Sequence, residues 1–267
     1  MMNGRVLIIA GSDSGGGAGI QADIKTVTAL GGFAMTAITA ITAQNTTGVQ
    51  GIHEVPADFV SEQMHSVIDD LGADAVKIGM LHRPEIIEAV ANVLADKLPD
   101  VPVVLDPVMI ATSGAQLIED AAVQALVEHL LPSVDLLTPN APEAAALSGR
   151  LVETIDDAAT AARSMRDMGA RAILMKGGHL GGDTVIDLLF EGDDQSMRFA
   201  GPRIDSRNTH GTGCTLASAC AAGLAQGLSL GVAVGRAHHY VRAAIETAPG
   251  YGAGYGPINH AHTIRAD

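Results

Sequence analysis

The sequence predicts an α/β protein, a mostly parallel central sheet with helices on both faces. Short Val, Ile and Leu runs alternate along the chain with longer stretches of helical period. Of the 267 residues, 47% are hydrophobic and 17% charged, which supplies a sizeable core and excludes an intrinsically disordered chain. Aromatic residues make up only 3%, Trp is absent and there are 31 glycines, so Ala, Val, Ile, Leu and Met must fill closely approaching layers.

The first strand is Arg5-Val6-Leu7-Ile8-Ile9-Ala10, an apolar run too short for a signal peptide. A helix over 19–30 follows, then strands over 34–42 and 49–55, a helix over 57–71 and a strand over 75–78. Pro84 fits the first turn of a helix over 84–97, and a strand over 101–106 comes next. A helix over 119–131 leads to a strand over 134–138. Pro142 starts a helix over 142–149, and Thr154 with Asp157 reads as a capping box for one over 156–169. After a strand over 171–176, runs 184–190 and 196–200 flank Gly192-Asp193-Asp194 and predict an edge hairpin. The last part, 213–227 and 230–247, is helical. No linker, repeat or low-complexity tract interrupts the chain, which predicts a single domain over 1–267.

A net charge of -14 and no five-residue basic run exclude a nucleic-acid binder. No apolar stretch reaches the roughly 20 residues of a membrane helix. Cys214 and Cys220 fall in one helix, their Cα atoms about 9 Å apart and too far for a disulfide. A reducing cytoplasm is the expected compartment.

Four signals carry chemistry. Ala10-Gly11-Ser12-Asp13-Ser14-Gly15-Gly16-Gly17-Ala18-Gly19 turns from strand to helix, but no acidic residue follows where a dinucleotide fold holds its ribose, and no Walker lysine follows. A small polar substrate pocket is the expectation. Asn208-Thr209-His210-Gly211-Thr212-Gly213-Cys214 precedes a small-residue helix and suits an anion hole of backbone N–H groups. There the dipole should favour a Cys214 thiolate, the alternative being a structural cysteine. Lys176 ends an apolar strand, either facing a phosphate or snorkelling at the sheet edge. Asp106 and Glu143 stand at strand ends and suit Mg²⁺ held through water; alone, Glu143 reads as a first-turn acid. The ten histidines form no zinc signature.

These residues resemble a known family. The runs AGSDSGGGAGIQADIKT (10–26), AQNTTGVQ (43–50), KIGML (77–81), LDPVM (105–109), LLTPNAPEA (136–144), LMKGGH (174–179) and NTHGTGCTLASA (208–219) are similar to hydroxymethylpyrimidine/phosphomethylpyrimidine kinases. These are the thiamine-pathway branch of the ribokinase-like superfamily. The resemblance implies the three-layer ribokinase-like fold and ATP-dependent phosphorylation of 4-amino-5-hydroxymethyl-2-methylpyrimidine, then of its monophosphate. It places Gln44 on the pyrimidine ring nitrogen and amino group, with Gly11, Asp23 and Met80 lining the substrate pocket. It places Asn140, Glu143, Lys176 and the loop of Thr209, Gly211, Thr212, Gly213 and Cys214 against ATP and Mg²⁺. Where most ribokinase-like sugar kinases carry Asp, this chain has Cys214, the expected base. The resemblance also implies a homodimer. A pyridoxine or pyridoxal kinase and a non-catalytic vitamin-binding or regulatory protein are the alternatives.

Overall fold

The computed structural model of the chain describes residues 3–110, 117–192 and 196–264. The first strand, β1 (Arg5–Asp13), is covered on both faces: Leu7 and Ile9 join one hydrophobic cluster, Val6, Ile8 and Ala10 the other. A strand buried on both sides needs no polar alternation, which is why its sequence reads as one apolar run. Helix α1 (Gly19–Ala29) leads to β2 (Phe33–Asn45) and β3 (Gly48–Glu54), then α2 (Ala57–Leu71), β4 (Ala75–Ile78), α3 (Pro84–Lys97) and β5 (Val103–Leu105). Next come α4 (Asp120–Ala125), β6 (Leu136–Leu137), α5 (Ala141–Ser148), α6 (Ile155–Asp167), β7 (Ala172–Met175), β8 (Thr184–Glu191), β9 (Ser196–Pro202), α7 (Thr212–Ala225) and α8 (Leu230–Glu246).

One nine-stranded sheet runs in the order β3-β2-β1-β4-β5-β6-β7-β8-β9. Its centre, β2 through β7, is parallel, and both edges are antiparallel. The expected hairpin at 184–200 is β8/β9, although its turn falls largely outside the described residues. The second antiparallel edge, β3, follows β2 through Thr46 and Thr47 alone, and so short a connection can only join antiparallel strands. Helices α2 to α6 supply one hydrophobic cluster, and α1, α7 and α8 the other. The result is three layers.

Two elements differ from expectation. The helix expected over 119–131 is α-helical only to Ala125, widens to a π-turn over Leu126–Leu130 and closes in a 3₁₀ turn over Leu131–Ser133. Pro132 has no N–H to continue an α-helix. The strand expected over 134–138 is only Leu136–Leu137. The capping box at Thr154 is present, and a second one joins Asn140 to Glu143.

The connections reverse direction at β1. From α1 the chain moves to β2 on one side of it; from α2 it returns to β4 on the other. A crevice at the carboxyl ends of such strands is where open α/β sheets hold ligands.

Candidate active site

A cleft of about 750 Å³ opens at that crevice, and the N-terminus of α7 points into it. One side of it is built on the end of β1. Asp13 is buried, and its carboxylate accepts N–H bonds from Gly15 (2.8 Å), Gly17 (3.0 Å) and Ala18 (2.8 Å). His210 Nε2 lies 2.9 Å from Asp13 Oδ2. Burial alone would push the Asp13 carboxyl up, but His210 and the backbone N–H groups outweigh it and hold the carboxyl below its usual range. The glycine-rich loop is therefore wrapped round its own carboxylate.

Gly11, Gln44 and Met80 line the cleft. The Gln44 carboxamide lies with one end 3.2 Å from Thr42 Oγ1 and the other 3.4 Å from His210 Nε2. Asp23 is a correction. It has no exposed surface and does not line the cleft; its carboxylate pairs with Lys77 Nζ at 2.8 Å and accepts from Ser218 Oγ at 2.7 Å. Lys77, equally buried, reaches the cleft floor in its place. A lysine inside Ala75-Val76-Lys77-Ile78 was the signal for it, since an all-apolar strand tolerates a cation only beside an anion.

The opposite side is built on the start of α7. Gly211 caps that helix with φ +85°, and a Cβ there would stand 1.9 Å from the Gly17 carbonyl oxygen. Glycine is required because two loops touch backbone to backbone. Gly177 is likewise set by protein packing, its virtual Cβ 1.9 Å from the Ile186 carbonyl oxygen. Thr209, Thr212, Gly213 and Cys214 face the cleft.

The expected lowering of the Cys214 thiol is not what the structure shows. Burial pushes it up to about 12, Asp23 and Asp106 add to that, and Lys77 with the Gly19 N–H opposes it. A helix terminus is outweighed here by desolvation and two carboxylates.

Lys176 extends from the end of β7 to Asp106 Oδ1 at 2.8 Å and Glu143 Oε2 at 3.5 Å. Burial works against its ammonium, but Asp106 and then Glu143 hold it above the ordinary lysine value. It is not a snorkelling surface lysine. Glu143 serves two ends: its carboxylate accepts from the Asn140 N–H at 2.8 Å while facing Lys176. Burial and the charge of Asp106 push its carboxyl up, against the pull of Lys176. Thr138 donates to Asp106 at 3.2 Å. Two buried carboxylates sharing one cation are a hard-oxygen donor set that fits Mg²⁺, which takes few protein ligands and keeps waters and phosphate oxygens. Among the described residues no cluster of three or more His, Cys, Asp and Glu would cage a metal alone.

His210 is a further cleft residue that the search for a zinc signature among the histidines does not single out. It lies within the 208–214 motif, and that position was the available signal. Its backbone N–H donates to Gly256 at 3.1 Å, and the Tyr255 N–H donates to Thr46 at 2.9 Å, so residues 255–256 fasten the loop before α7 to the β2–β3 turn. Both cysteines are free thiols. No helix among the described residues is long and apolar enough to cross a membrane.

Known proteins share this sequence pattern and fold. The family model for phosphomethylpyrimidine kinase matches residues 13–259. A hydroxymethylpyrimidine/phosphomethylpyrimidine kinase of Rhizobium meliloti is 50% identical, over 98% of this chain and 98% of its own length. A bifunctional thiamine biosynthesis protein of Geobacter sulfurreducens is 51% identical over 96% of this chain, which spans only 52% of that longer protein. The structure of Bacillus subtilis pyridoxal kinase with ADP superposes with a TM-score of 0.90 at 35% identity, covering 97% of this chain and 98% of that one. Across nearly its whole length, and in the elements that build its cleft, the chain belongs to the phosphomethylpyrimidine kinase family.

Proposed function

We propose that the chain uses ATP to phosphorylate 4-amino-5-hydroxymethyl-2-methylpyrimidine and then its monophosphate, giving the diphosphate used for thiamine. The observation that carries this reading is one cleft in which a carboxamide suited to an aminopyrimidine, Gln44, shares space with the start of α7 and with Lys176 between two carboxylates. Gln44 offers an N–H to the ring nitrogen and an oxygen to the amino group. Lys176 and the N–H groups of residues 211–214 face charge on the transferred phosphoryl group, where a loose transition state needs positioning and neutralisation most. Asp106 and Glu143 would hold Mg²⁺ through water, and the ion supplies further neutralisation of phosphate charge when bound. In the first step the thiolate form of Cys214, a minor form at pH 7 because burial pushes the thiol up, takes the hydroxymethyl proton. The second step attacks through a phosphate oxygen that is already ionised at pH 7 and needs no base. The chain works in the cytoplasm, as a homodimer.

The likeness to pyridoxal kinase keeps pyridoxal as a second acceptor. Release of ADP with hydroxymethylpyrimidine, its monophosphate and pyridoxal, measured side by side, separates the readings; no turnover with any of them would leave a binding protein. In Cys214→Ala the first phosphorylation should fall by about 10²–10⁴-fold and the second much less. Equal losses in both steps would make Cys214 a positional residue.

A further inference from the structure

His210 and Gln44 meet in an arrangement that the proposed mechanism leaves unused. Asp13 Oδ2 accepts two backbone N–H groups and faces His210 Nε2 at 2.9 Å. An ionised carboxylate in that position fixes the proton on Nε2, so Nε2 is a donor. The nitrogen end of the Gln44 carboxamide stands 3.4 Å from that same Nε2, donor against donor. At the other end Thr42 Oγ1 lies 3.2 Å from the carboxamide oxygen and 3.0 Å from the Ser12 carbonyl oxygen. Thr42 has one proton for two acceptors.

A half-turn of the carboxamide removes the donor–donor contact and frees Thr42. The oxygen then takes a weaker share of the single Nε2–H that His210 directs at Asp13, the nitrogen donates to Thr42, and Thr42 donates to Ser12. One lone pair and one N–H of Gln44 remain, in a fixed order along the edge that faces the cleft. We propose that His210, anchored by Asp13, sets which end of Gln44 faces it and thereby which way round the substrate ring binds.

The chemistry of the ring gives this order a consequence. In the aminopyrimidine the amino group lies between the ring nitrogen and the carbon that bears the hydroxymethyl group. With the Gln44 oxygen on the His210 side, the amino group is drawn to that side and the hydroxymethyl group lies beyond it. His210 leads directly into Gly211 and stands four residues before Cys214. The ring therefore presents its hydroxyl to the phosphate loop; bound the other way round, it would turn the hydroxyl away. His210 acts through Gln44 and is a positioning residue that determines specificity. The inference rests on the reading of Gln44 given above.

The test compares kcat/KM for the aminopyrimidine with that for 5-hydroxymethyl-2-methylpyrimidine, which lacks the amino group, in native protein, His210→Leu, His210→Gln and Gln44→Leu. Native protein should prefer the aminopyrimidine. His210→Leu should reduce that preference by about 10- to 100-fold, the size of one unsatisfied buried polar group, while KM for ATP stays near native. His210→Gln retains an N–H at similar reach and should restore most of the preference. His210→Leu combined with Gln44→Leu should be no worse than Gln44→Leu alone. If Leu at 210 prevents folding, His210→Asn, too short to reach, replaces it in the comparison with His210→Gln. An unchanged preference in a folded Leu or Asn variant, both substrates slowing together, would overturn the role of His210 alone. Native protein with no preference between the two compounds would overturn the reading of Gln44 as well.

Discussion

Replacing Lys77 by Met tests the electrostatics beneath the cleft. Lys77 and Asp23 have no exposed surface, and their charged atoms are 2.8 Å apart. Removing the ammonium leaves a buried carboxyl whose remaining hydrogen-bond partner among the described residues is Ser218. Breaking one half of a buried pair costs about 3–5 kcal/mol, a large share of the 5–15 kcal/mol typical of a whole domain. The cost depends on pH in a definite direction. Burial already pushes the Asp23 carboxyl up, and Lys77 pulls it down. Without Lys77 the folded-state carboxyl rises further above its unfolded value, so folding favours the protonated form. The deficit of Lys77→Met against native protein is then smallest below about pH 4, the unfolded value, and grows as pH rises toward the raised folded value. Urea unfolding at pH 5 and pH 8, with native protein measured in parallel, should show the larger deficit at pH 8. Lys77→Met combined with Asp23→Asn keeps an acceptor for Ser218 and removes the charge. It should recover at least about 2 kcal/mol relative to the sum of the single changes. A deficit independent of pH, or strict additivity in the double variant, would refute the ion pair as the source of the cost.

Lys176→Met should slow both phosphorylations by about 10²–10³-fold in an ADP-release assay, because the proposed mechanism sets it against the phosphoryl group in each; native rates in either step would remove it from the site. With the Cys214 thiol pushed up to about 12, the first step should accelerate as pH rises from 7 to 9. The second should stay flat over that range, and parallel profiles would contradict the assignment of a base to the first step only. Gly211→Ala places a methyl group against the Gly17 carbonyl oxygen at a positive φ. It should destabilise by about 2 kcal/mol or more, with a lower midpoint in urea and slower turnover with either substrate; a native midpoint would show that the two loops can separate freely.

The fold was legible wherever an element carries its own signal. Apolar runs marked the central strands because those are covered on both faces, and Pro84, Pro142 and the pair Thr154/Asp157 marked helix starts. The two-residue strand Leu136–Leu137 and the end of the 119–131 helix were misjudged because pairing and a proline, more than periodicity, set their limits. Among the site residues, those at strand ends and in the loop before α7 were readable from the motifs. Asp23 was misplaced although its own helix held the clue: it shares the inward face of α1 with Ile20 and Val27, at intervals of three and four. Its partner lies 54 residues away and His210 lies 197 from Asp13, distances that one sequence does not connect. The raised Cys214 thiol was hidden for the same reason, since the carboxylates that oppose ionisation come from α1 and the end of β5.

The clasp formed by residues 255–256 bears on how the protein is made. Asp13 is synthesised 197 residues before His210, and the loop holding His210 is pinned only once Gly256 has followed. A ribosome-bound chain lacking those residues can pair β1 with β2 and β4 while its catalytic centre is still unformed. Contacts of such long sequence separation are slow to close, so competence arrives as a late event in folding, distinct from the assembly of the sheet.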